Sequence, residues 1–132
     1  MDLNQMHDRA MDLAAQADQA GFAGDANKAA EALRQAYLLE RQVADSIADR
    51  ENYEPSRSVV HRSAAWLAVQ NGRFQEAIEL ARRGLTAHSP AAIAGELEEV
   101  LRTALLEAGR EAAAAFDKEI APMAQNEPDR AL

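Results

Sequence analysis

Apolar side chains recur along this chain at the spacing of helix faces. Met6, Ala10, Leu13, Ala17 and Ala20 fall three or four residues apart, which predicts an amphipathic helix over residues 2–22. The run Gly21-Phe22-Ala23-Gly24-Asp25 interrupts it, and Asp25 stands where an N-cap for the next helix is needed. Ala29, Leu33, Ala36, Val43 and Ile47 carry a second, long helix to near Arg50. Pro55 disfavours helical backbone at Glu54, so a third helix begins at Pro55 or Ser56 and ends at Asn71-Gly72. Phe74, Ala77, Ile78, Ala81 and Leu85 mark a fourth, closed by Thr86 to Ser89. Pro90 opens a fifth at a position where its missing N–H costs nothing, and Ile93, Leu97, Val100, Leu101, Ala104 and Leu105 form its apolar stripe. Gly109 is expected to kink or end that helix, and residues 110–121 extend the helical pattern with a weaker face. The expectation is an all-α fold of five to six antiparallel helices in a single domain over residues 1–121. Beyond Pro122 the chain turns polar, so residues 122–132 are expected to be a disordered tail.

Composition sharpens this picture. Alanine supplies 31 residues and aromatics only 5%, so close contact between helices must replace bulky packing. Cysteine is absent, which excludes disulfides, thiolate metal sites and a cysteine nucleophile. The N-terminal residues mix acids among the apolar positions, unlike a signal peptide, and no apolar run approaches the ~20 residues of a membrane span. A cytoplasmic protein is expected. The net charge of −8 is uneven: residues 55–89 carry Arg57, Arg62, Arg73, Arg82 and Arg83 against only Glu76 and Glu79, and both flanks are acidic. Overall acidity argues against nucleic acid or a membrane as partner. The basic middle is expected to receive either an acidic peptide or a carboxylate from the chain itself.

Small residues fall where two helices of a hairpin must approach. Ala65 lies late in the third helix, Gly72 at the turn, Phe74 just after it, Ala77 opening the fourth helix and Gly84 closing it, with Pro90 beyond. This unit resembles the tetratricopeptide repeat (TPR) family. A fainter copy, Ala17, Gly24, Ala29 and Ala36, precedes it, but Gly24 and Gly72 are 48 residues apart, against the family's usual spacing of about 34. The run EPSRSVVHRSAAWLAVQNGR is also similar to one recurring in small stand-alone bacterial TPR-like proteins. The resemblance implies irregular TPR-like hairpins with a C-terminal capping helix, and binding of a protein segment on the helix faces without catalysis.

On that pattern Val59, Arg62, Ser63, Trp66, Val69 and Gln70 line the concave groove. Arg62, Trp66 and Gln70 follow one another at four-residue intervals, hence on one stripe, and a cation beside an aromatic suits a peptide bearing an acidic group. The competing reading of Trp66 is a core residue between helices two, three and five. Glu40 falls inside the apolar seam of the second helix, where a carboxylate needs a partner; Arg57 and Arg62 are the candidates nearest in sequence, and the alternative is a Glu40 turned outward. His7, His61 and His88 have no metal-like spacing and read as surface or packing residues; no metal, cofactor or catalytic residue is expected. Glu96, Glu98, Glu99 and Glu107 read as a solvated acidic face. No phosphate loop or nucleophile elbow occurs. The function expected is a non-catalytic adaptor or regulatory module. Two alternatives stand beside it: a helical ribonuclease of the HEPN kind using Arg83 and His88, and a purely structural homo-oligomer such as a homodimer.

Overall fold

The computed structural model describes residues 1–120 together with 122 and 123. Five α-helices follow one another, α1 (Leu3–Phe22), α2 (Ala26–Ile47), α3 (Ser56–Gln70), α4 (Phe74–Gly84) and α5 (Ala91–Glu119), with a 3₁₀ turn at Glu51–Tyr53 and no strand among the described residues. The chain is all-α. The expected tail lies, apart from Pro122 and Met123, outside the described residues.

Local chemistry fixes the first two helices. Asp2 and Gln5 close a reciprocal cap on α1: the Gln5 N–H donates to the Asp2 carboxylate at 2.8 Å, and the Asp2 N–H donates to Gln5 Oε1 at 2.9 Å. The stripe Met6, Ala10, Leu13, Ala17 and Ala20 is buried as its spacing predicts. Gly24 then takes a φ of +80°, which L side chains rarely adopt, and Asp25 caps α2 by accepting from the Lys28 N–H at 3.1 Å. Gly72, with φ +72°, makes the equivalent turn between α3 and α4.

Successive helices run back along one another. Early α1 meets late α2 through His7 and Glu40. The side-chain amide of Asn71, just past α3, donates to the Leu33 carbonyl early in α2. Arg57, at the start of α3, reaches the carbonyls of Arg83 and Gly84 at the end of α4. The fifth helix packs on both α3 and α4. The shared core is built mostly of small side chains: Ala10, Ala36, Ala44, Ala64, Ala65, Ala68, Ala77, Ala81 and Ala104 are all fully buried. Tyr37, Leu80 and Leu97 are the largest hydrophobic side chains buried almost completely.

Two boundaries differ from the sequence reading. The second helix stops at Ile47 rather than near Arg50, because the chain turns into the 3₁₀ segment ahead of Pro55. The fifth runs unbroken through Gly109 to Glu119. One glycine in a helix interior costs about 1 kcal/mol, and here it is flanked by Leu105, Leu106, Glu107, Ala108 and the strong helix formers of residues 110–115.

Candidate functional site

The face of α3 named by the sequence pattern is open along its length. Val59, Arg62, Ser63, Trp66 and Val69 are each half-buried and Gln70 is exposed, while Ala64, Ala65 and Ala68 anchor the opposite side of the helix in the core. Trp66 and Val69 pack against that core with part of their surface free, so the tryptophan is both a packing residue and part of the face. On α1, Leu3, His7, Met11 and Ala14 form a second half-buried row against the same core.

At the Val59 end the face deepens into a cavity of about 730 Å³. Leu3, Val43, Ile47, Val59 and Val60 give it an apolar lining, with Asp2, Asn4 and residues 52–56 around them. His7 also borders the cavity. Its Nδ1–H lies 2.9 Å from both oxygens of Glu40, a carboxylate with no exposed surface. Burial pushes the Glu40 carboxyl above the usual carboxylate range, while His7 and, to a lesser degree, Ser63 pull it back.

This corrects the expected pairing. Glu40 is buried rather than turned outward, and its partner is His7 of α1, not Arg57 or Arg62 of α3. The reason is that both arginines are committed elsewhere. Arg62 pairs with Glu96 of α5. Arg57, itself 4% exposed, donates to three carbonyls: Ala48 at 2.6 Å, Arg83 at 2.6 Å and Gly84 at 3.2 Å. Those carbonyls end α2 and α4, where helix dipoles present negative charge, so a buried cation there is matched.

Arg57 belongs to a polar network that sequence reasoning missed. His61 has no exposed surface; its Nδ1–H donates to the Arg57 carbonyl at 2.8 Å, and its Nε2 accepts from Arg83 Nε–H at 3.0 Å. An imidazole accepting from a guanidinium must be neutral, and burial, its largest cause, pushes the His61 pKa from 6.5 down to about 4. The Glu54 carboxylate accepts from the Ser58 N–H at 2.8 Å and from its hydroxyl, and Ser58 Oγ lies 3.0 Å from Ser89 Oγ. The signal for this network was in the chain: Arg57, Ser58 and His61 occupy one side of α3 where amphipathicity alone asks for apolar residues.

The arginine-rich middle is satisfied largely from within. Besides Arg57 and Arg62, Arg73 pairs with Glu76 at 3.2 Å and Arg83 with Asp45 at 2.7 Å. The residues of the ribonuclease reading are held by different partners: Arg83 by Asp45 and His61, and exposed His88 by Glu51 at 3.3 Å. Among the described residues no helix is long and apolar enough to cross a membrane, and no group of three or more His, Asp or Glu is placed to hold a metal ion.

No family model, curated protein or solved structure matches this chain.

Proposed function

We propose that this chain is a non-catalytic protein-binding module of TPR-like build, an adaptor or regulatory subunit. It receives a segment of another protein along the face formed by Val59, Arg62, Ser63, Trp66, Val69 and Gln70. The observation that carries this reading is the continuity between that half-buried row and the cavity beside Val59 and His7. A preformed apolar hollow next to a partly open aromatic is the kind of surface on which binding energy concentrates. The alanines beneath it fix α3 in place, so little ordering opposes binding. Since Arg62 is already paired with Glu96, an incoming acidic group must displace that carboxylate, and apolar contact with Trp66 and the cavity lining supplies most of the affinity.

Photo-crosslinking in the native host tests the reading. A crosslinker placed at Gln70 or Val59 should trap one protein that the same group at Asp18 or Lys28 does not. Trp66→Ala should abolish the product while helical content is retained. Equal trapping from all four positions would overturn the assignment of the face, and trapping of only the chain itself would favour a structural homo-oligomer.

A further inference from the structure

Among the described residues nothing packs over the second half of α5. Every residue from Gly109 to Glu119 is exposed, although the helix continues through all of them. Helices of this length are marginal in water without a packed face. Yet this segment and its two ends carry exposed apolar side chains: Leu105 is 45% exposed, Phe116 57% and Ile120 47%. With Gly109 and Ala112 they recur at four, three, four and four residues and form one stripe. At 3.6 residues per turn the stripe lies about a third of a turn from Leu97, Val100 and Ala104, the buried side of the same helix. Packing on α3 and α4 therefore leaves it uncovered, and an exposed apolar stripe of this kind marks an interaction surface.

We propose that a second copy of this chain covers it, the two α5 helices crossing antiparallel between Arg110 and Glu111. A symmetric contact requires a surface complementary to itself, and this stripe is. About that centre Leu105 falls opposite the partner's Phe116, large against large. Gly109 falls opposite the partner's Ala112, so the backbones approach where the helices cross; a Cβ at Gly109 meets nothing within 4 Å in the isolated chain. Arg102 and Asp117 project from the same side of the stripe, and antiparallel pairing about that centre brings each to within two residues, about 3 Å along the axis, of the other in the partner. Both belong to α5, and neither has an ion-pair partner within the chain among the described residues. A different protein would have no reason to match this self-complementary order of size and charge. One short helix pair buries little area, so the dimer is a weak one, with a dissociation constant on the order of micromolar.

Sedimentation equilibrium of the whole chain between about 1 and 100 µM, a range chosen around that affinity, reads the proposal directly. Wild type should shift from monomer to dimer mass across it. Phe116→Asp should remain monomeric with unchanged helical content at low concentration, since Phe116 is not part of the core. Arg102→Glu should weaken association at least several-fold, and adding Asp117→Arg to that variant should restore it. Wild type that stays monomeric at 100 µM, Phe116→Asp that still dimerises, or a double reversal without rescue would each overturn the assignment. Mixing chains bearing Gly109→Cys with chains bearing Ala112→Cys should give the mixed disulfide in preference to either homodisulfide. The native chain has no cysteine to confuse this readout.

Discussion

At the scale of single residues the most consequential group is His61. Its neutral imidazole is fixed between a carbonyl acceptor and a guanidinium donor, and its pKa falls from 6.5 to about 4 on folding. Between these values the unfolded chain binds the proton and the folded chain does not, so stability is full above pH 6.5 and is lost as pH falls through 4. The loss should be on the order of 3 kcal/mol, read as the difference between wild type and His61→Gln in urea midpoints across that window. Taking the difference matters, because Glu40, with its carboxyl pushed upward, contributes in the opposite sense: its share is lost as pH rises from 4.5. Sequence reasoning placed Glu40 inside the apolar seam, where it lies. The counter-charge expected on the next helix is instead His7, 33 residues earlier. Helical periodicity tells which way a side chain points but not which distant helix it meets. The same limit hid the partners of His61, which reads from sequence as a surface or packing residue.

At the scale of elements, two positions hold helix ends in place. Arg57 joins the C-terminal carbonyls of α2 and α4. We expect Arg57→Met to cost roughly 3 kcal/mol in denaturant unfolding, since it strips buried acceptors of their donor. Arg57→Lys should recover only part, because one ammonium cannot span two helix ends as a planar fork does. Gly84 governs how closely α4 approaches its neighbours. A Cβ there would stand 2.6 Å from His61 Cβ and 3.0 Å from Leu97 Cδ2, one on α3 and one on α5. Gly84→Ala should therefore destabilise by about 1–3 kcal/mol despite alanine's better helix propensity. Gly95→Ala on α5, where a Cβ meets nothing within 4 Å, should be neutral or stabilising by up to about 1 kcal/mol in the same assay. Gly84 was legible beforehand as a small residue required late in a paired helix. Arg57 was noticed only as a charge seeking a carboxylate, because main-chain acceptors at helix ends leave no mark in a sequence pattern.

At the scale of the molecule the order and type of the helices were readable from apolar spacing, with Asp25, Gly72 and Pro90 marking their limits. The length of α5 was not, because a glycine was weighed as a breaker against an otherwise unbroken run of strong helix formers. The groove reading rests on residues that the structure leaves half-buried or exposed, and the two faces are proposed to take different company: the α3 face another protein, the α5 stripe a second copy. Beneath the α3 face lies a core in which 12 of the 23 buried hydrophobic residues are alanines. Unfolding such a core hydrates less apolar area per residue, while helical backbone still becomes wet. The heat-capacity increment should then fall below the usual 12–15 cal/mol/K per residue, roughly the range for globular proteins. Stability consequently changes little between cold and warm, and a chain built of small contacts trades peak strength for constancy over temperature.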